Sequence, residues 1–182
     1  MGGAMNPAGR TTTIVLMGVA GSGKTTVMAV LAERLGWATA EGDGFHSPEN
    51  VAKMQSGEPL DDDDRRPWLE SLAAWIGERE TAGDGAGENA LVTCSALKRS
   101  YRDLLRDGHP SVRFVHLVAP AAVLAVRLNE RPGHYMPPAL LASQIETLEP
   151  LGPDEPGAVV TADRGPAETV AAIQSLLESR DS

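Results

Sequence analysis

Residues Gly18 to Thr25 read Gly-Val-Ala-Gly-Ser-Gly-Lys-Thr, which satisfies G-x-x-x-x-G-K-[ST] at every position. The run constrains the fold because it works only between a buried strand and the N-terminus of a helix. There, converging backbone amides and the positive helix end hold an oxyanion, and the lysine follows it as a mobile point charge. Both flanks have that character. Ile14 to Met17 is an apolar run ending at Gly18, and from Lys24 onward Val27, Val30, Leu31 and Leu35 recur at helical spacing until Gly36 closes the segment. Gly18, Gly21, Ser22, Gly23, Lys24, Thr25 and Thr26 are therefore the candidate nucleotide-phosphate residues. The Thr25 hydroxyl is the candidate ligand for Mg²⁺.

The rest of the chain continues the strand and helix alternation. Trp37 to Glu41, Ala90 to Cys94, Val112 to Val118 and Ala158 to Thr161 supply four further strands. Between them fall Pro48 to Gln55 behind Ser47 as N-cap, and a helix beginning near Arg65 that carries Trp68, Leu69, Leu72, Trp75 and Ile76 on one face. Lys98 to Arg106, a helix opened by Pro120, Ala139 to Leu148 and Pro166 to Leu177 complete the helical set. Thr81 to Asn89 and Leu151 to Pro156 read as loops, and the proline-rich Arg131 to Pro138 as an irregular excursion between two helices. The pattern predicts an α/β fold with an open five-stranded parallel sheet covered by helices on both faces. A chain of 182 residues and 19.1 kDa suits one such domain, expected over 12–182. Residues 1–11, rich in Gly and Ala, read as a disordered leader.

Composition narrows the partners. Sixteen Lys plus Arg against 25 Asp plus Glu leave a net charge of −9, which argues against a broad basic face for nucleic acid. No apolar stretch approaches the roughly 20 residues of a membrane-spanning helix, so no membrane partner is expected. Thr11 to Ala20 reads better as a strand entering a loop than as a signal-peptide core, and Met1-Gly2 is no myristoylation signal because position 6 is Asn. The lone Cys94 cannot form an internal disulfide, which points to a reducing, cytoplasmic setting and to a small buried core thiol. Of the 16 cations only Lys24, Lys53 and Lys98 are lysines, suggesting positions where Arg would not serve. No Asn-Lys-x-Asp sequence for guanine is present, and the short chain favours a small-molecule kinase over a GTPase.

The acceptor side is read from the segments just past the strands, since open parallel sheets bind ligands at their carboxyl ends. Asp43, just beyond the second strand, can orient an attacking hydroxyl and receive its proton. Beside Gly44 it would otherwise read as a solvated turn residue. His46 suits either a hydrogen bond to a polyol or a surface or capping role. Asp61, Asp62 and Asp63 fit the positive end of a helix, while Arg65 and Arg66 can hold a substrate carboxylate. Ser95 and Lys98, after the third strand, form the other wall. Arg127 and Arg131 lie four apart on one helix face, either as transition-state charge at a closing lid or as exposed arginines.

These residues assemble into four segments: MGVAGSGKTT from Met17, EGDGFHSPENVAKMQSGEPLDDDDRRPWL from Glu41, VTCSALKRSYRDLLR from Val92 and RPGHYMPPALLASQIETLEPL from Arg131. In order and spacing they resemble the gluconate kinases of the P-loop sugar-acid kinase family, over about residues 12–178. The resemblance implies a nucleoside-monophosphate-kinase-like fold with a small lid, about residues 131–149, and commonly a homodimer. It implies ATP-dependent phosphorylation of D-gluconate to 6-phospho-D-gluconate with Mg²⁺. Lys24, Asp43, Arg127 and Arg131 would be catalytic, and His46, Lys53, Arg65, Ser95, Lys98, His134 and Gln144 would lie on the acceptor side with Asp43. Departures from the family pattern are Glu41 where Asp is usual, Gly44, Ser47, and Asp61 where Asn is usual. The rival readings are a kinase for shikimate or another sugar acid, and a regulatory nucleotide-binding module without turnover.

Overall fold

Five parallel strands form the sheet: β1 (Thr13–Met17), β2 (Ala38–Glu41), β3 (Ala90–Thr93), β4 (Val112–Val118) and β5 (Gly157–Thr161), in the order β2-β3-β1-β4-β5. The computed structural model describes residues 11–130 and 138–179. The leader up to Arg10, together with Arg131 and His134, lies outside the described residues.

Because side chains alternate across a strand, β1 feeds two cores at once. Ile14 and Leu16 join Leu91, Val115 and Leu117 beneath α1 (Lys24–Leu35) and α7 (Pro166–Glu178), which contribute Val27, Leu31, Val170 and Ile173. Val15 and Met17 point the other way with Val92 and Phe114, against Trp68, Leu69, Leu72 and Ile76 of α3 (Asp62–Thr81) and Leu105 of α4 (Arg99–Arg106). Ile14 to Met17 are wholly buried, each stabilising the fold by about 1.5–3 kcal/mol. Helices therefore cover both faces, as the alternation predicts. A smaller third cluster of Val19, Leu97, Leu124 and Leu141 sits at the carboxyl end of the sheet. It joins the loop after β1 to the β3–α4 loop, to α5 (Ala121–Glu130) and to α6 (Pro138–Thr147).

Several boundaries differ from the sequence reading for local reasons. The third helix starts at Asp62 rather than near Arg65, because Asp61 and Asp64 form a reciprocal capping box. The Asp64 amide donates to Asp61 Oδ1 at 2.8 Å and the Asp61 amide to Asp64 Oδ2 at 2.9 Å. The acids at 62–64 then occupy the positive end of the helix. Its far end reaches Thr81, so the loop begins one residue later than expected. Lys98 is the N-cap of α4 rather than its first residue. Pro120 precedes α5, its carbonyl accepting from the amides of Val123 and Leu124. β2 begins at Ala38 rather than Trp37.

Candidate active site

The phosphate loop leaves β1 at Gly18, whose φ of 140° and crowded position both require glycine. A Cβ there would stand 2.7 Å from the Leu117 carbonyl. The Gly18 amide donates to Ser95 O at 3.2 Å, tying the loop to the segment after β3. Lys24 Nζ arches back to donate to the carbonyls of Gly18 and Val19 at 3.0 and 3.1 Å. Ser22 is wholly buried, with its hydroxyl lacking a hydrogen-bond partner.

At the end of β2, Glu41 meets this loop. Thr25 Oγ1 donates to Glu41 Oε2 at 3.2 Å, and Thr93 Oγ1 donates to the same oxygen at 2.7 Å. Sequence reasoning treated Glu41 only as a departure from a pattern; its longer side chain reaches the Thr25 hydroxyl. Gly42, between Glu41 and Asp43, lies so close to β3 that a Cβ would be 2.1 Å from Thr93 O. Only glycine lets β2 run this near before the 3-10 turn of Gly42–Phe45 carries Asp43 away from the sheet.

Asp43, Lys24 and Cys94 share one end of the sheet. Burial pushes the Cys94 thiol up to about 12, with the Ala96 amide and Lys24 opposing that rise and Asp43 adding to it. The thiol is therefore un-ionised core, as expected. His46 stacks on Trp68 with ring centroids 4.2 Å apart, and Trp68 Nε1 donates to Gly42 O at 2.7 Å, fixing the turn that carries Asp43. Burial lowers the His46 pKa below the ordinary histidine value, Asp43 opposing and Arg65 reinforcing the shift. Near neutral pH this is an uncharged imidazole, able to donate or accept at a hydroxyl. The helix cap belongs to its neighbour: Ser47 Oγ accepts from the Asn50 amide at 3.1 Å.

The cations expected on the acceptor side are held among carboxylates. Lys98 Nζ donates to both Asp62 oxygens at 2.9 and 3.1 Å, Arg65 Nη1 donates to the Tyr101 hydroxyl at 3.1 Å, and that hydroxyl donates to Asp62. The Tyr101 and Lys98 hydrogen bonds keep the Asp62 carboxyl below its usual range. Asp62, Arg65 and Lys98 of this cluster line a cleft of about 450 Å³ together with Pro59, Leu60, Asp61, Asp63 and, from α6, Ser143 and Thr147. Arg66 is not part of it, lying 68% exposed beside Glu70. Lys53 stands apart too, donating at 2.6 Å to the capping-box carboxylate of Asp64 and so bracing α3 against α2 (Pro48–Gln55).

On the nucleotide side, Arg127 leans from α5 onto the phosphate loop. Its guanidinium donates to Gly21 O at 3.4 Å and to Ala162 O beyond β5, so it is not a free surface arginine. Gln144, expected on the acceptor side, instead accepts from the Ala20 amide of the phosphate loop at 2.7 Å. Sequence reasoning also passed over Asp62 as a functional group, Tyr101, and the hydroxyls of Ser143 and Thr147. Tyr101 lies three residues after Lys98, the spacing that brings two helix-terminal side chains together, and that was the available signal.

Residues 14–139 match the family described as "AAA domain". The chain is 50% identical over 153 residues to the gluconokinase of Gluconobacter oxydans (strain 621H), covering 84% of each protein. A sugar kinase from Janibacter sp. HTCC2649, solved without ligand, superposes with a TM-score of 0.85 at 50% identity, covering 92% of this chain and 95% of that one. A gluconokinase from Sinorhizobium meliloti 1021 superposes with a TM-score of 0.80 at 43% identity, covering 92% and 94%.

Proposed function

The chain belongs to the gluconokinase family, and from that membership we propose that it transfers the γ-phosphoryl group of ATP to D-gluconate, giving 6-phospho-D-gluconate and ADP. The observation that carries the reading is the arrangement at the carboxyl end of the sheet. A phosphate loop and a cleft bearing Arg65 and Lys98 flank the turn of Asp43. A loose phosphoryl transfer asks the protein mainly for alignment and charge compensation.

In this mechanism the loop amides and Lys24 hold the phosphates. Arg65 and Lys98 favour an anionic acceptor, and neutral His46 meets a hydroxyl of its polyol chain. Asp43 accepts the proton of the attacking hydroxyl as its oxygen bonds to γ-phosphorus and the bond to the ADP oxygen breaks. Arg127, with Arg131 from the lid at about 131–149, offsets charge on the transferring group, and Ser95 and His134 complete the acceptor side. The Thr25 hydroxyl and Glu41 carboxylate offer two hard oxygens 3.2 Å apart, a donor pair suited to Mg²⁺. When bound, the ion would neutralise phosphate charge.

The same reading makes the protein a cytoplasmic enzyme that engages neither nucleic acid nor membrane and pairs as a homodimer. The net charge of −9 speaks against a broad basic face for nucleic acid, and no described helix is long and apolar enough to cross a membrane. Sedimentation as a 19.1 kDa species would remove the dimer. Substrate choice is tested by coupled ATP-consumption assays over a panel of aldonates with shikimate included. Gluconate should drive turnover, and a panel in which shikimate responds and gluconate does not would overturn the assignment.

A further inference from the structure

Helix α6 touches both substrate sites. Ser143 and Thr147, one turn apart, line the acceptor cleft, while Gln144 Oε1 accepts from the Ala20 amide at 2.7 Å. Thr147 Oγ1 donates to Ser143 O at 2.7 Å, which leaves its lone pairs for a substrate hydroxyl. Leu141 of the same helix packs with Val19 of the phosphate loop and Leu97 of the acceptor wall.

The helix is anchored beyond its C-terminus. The Glu149 amide donates to Leu97 O at 2.8 Å, the Glu149 carboxylate accepts from the Arg99 amide at 2.7 Å, and the Glu149 carbonyl accepts from the buried Arg102 at 3.1 Å. An element with one contact set on each ligand site transmits ordering between them. Whatever settles the helix for one ligand lowers the ordering cost for the other.

We propose that Gln144 is a positioning residue coupling the acceptor cleft to the phosphate loop, so that the sugar acid at Ser143 and Thr147 and the nucleotide at the loop bind with positive cooperativity. The inference rests on the functional reading above and adds to it a role for Gln144 at the phosphate loop. Linkage makes the coupling reciprocal: each ligand tightens the other by one factor.

The test is calorimetric titration of the full chain with a non-hydrolysable ATP analogue and Mg²⁺, without and with saturating D-gluconate. In the wild type, gluconate should tighten the analogue by about five-fold or more, within the usual range of such couplings. Gln144→Met, which keeps the length but lacks the acceptor oxygen, should reduce the factor to within about two-fold of unity. Gln144→Glu retains an oxygen for the Ala20 amide and should keep the factor, even though its charge weakens nucleotide binding itself. A general loss of stability would not separate these two variants.

A factor near unity in the wild type, or one that survives in Gln144→Met, overturns the coupling alone, provided gluconate binds. No gluconate binding to the wild type would overturn the functional reading and this inference with it.

Discussion

Residue by residue, the proposed transfer sets Asp43 and Lys24 on opposite sides of the γ-phosphoryl group. Asp43→Asn keeps the shape of the turn but cannot take a proton. Turnover should fall about 10²-fold or more while ATP affinity changes by less than roughly three-fold. Steady-state kinetics with a nucleotide-binding titration would check this, and unchanged turnover would remove Asp43 from the role. Lys24 Nζ reaches two loop carbonyls at 3.0 and 3.1 Å, a curled geometry that suits a compact ammonium. A planar guanidinium does not fit that curl, so Lys24→Arg should lower kcat/KM by roughly 10²-fold, and near-normal kinetics would contradict the point-charge argument. The three lysines differ in kind. Lys24 serves the loop and Lys98 the cleft, whereas Lys53 is committed to Asp64 in the cap of α3. Their scarcity in the sequence drew attention to all three and did not distinguish a substrate contact from a brace.

At the scale of elements, the loops around the cleft are held by one buried ion pair. Arg102 and Glu155 are both 0% exposed, with Arg102 Nε donating to Glu155 Oε1 at 2.6 Å and Nη2 to Oε2 at 3.0 Å. Burial would raise the Glu155 carboxyl, but Arg102 and the Gly152 amide outweigh it and hold it below its usual range. The remaining guanidinium protons reach the carbonyls of Ala96, Leu97, Glu149 and Pro150, so one side chain joins the β3–α4 loop to the chain after α6. Arg102→Leu strands a buried carboxylate and should cost about 3–5 kcal/mol. Thermal unfolding should then shift down by roughly 10 °C, and a shift under about 3 °C would show the pair to be dispensable. This hub was hidden in the sequence because Arg102 and Glu155 are 53 positions apart and each looks like an ordinary surface charge. The phosphate loop was legible because its chemistry is local, carried by glycines at fixed offsets between an apolar run and a helical period. The start of α3 misled for the opposite reason: the apolar face begins at Trp68, while the helix is set by a polar exchange between Asp61 and Asp64. In the sequence Asp62 reads as helix-end charge, and only the folded chain brings it to Lys98 and Tyr101.

For the whole molecule, stability should respond to pH through His116, which is buried, and His46, which is partly buried. Burial lowers both His46 and His116, with Arg102 and Lys24 adding to the shift at His116. The unfolded chain therefore binds more protons below the ordinary histidine value of about 6.5, and stability must rise with pH through that window. Melting temperature should hold steady from pH 7 to 8 and decline as pH falls below about 6.5. A melting temperature that rose between pH 7 and 5.5 would contradict the burial argument. The net charge of −9 excludes a broad basic surface without forbidding an anionic substrate, since Arg65 and Lys98 stand in the lining of one cleft, though among Asp61, Asp62 and Asp63. Phosphoryl transfer to gluconate can be watched through the phosphorus resonances of ATP with purified protein, Mg²⁺ and D-gluconate. A phosphomonoester on the 6-oxygen of gluconate should appear in step with ADP. Release of inorganic phosphate alone, or unchanged ATP, would contradict it.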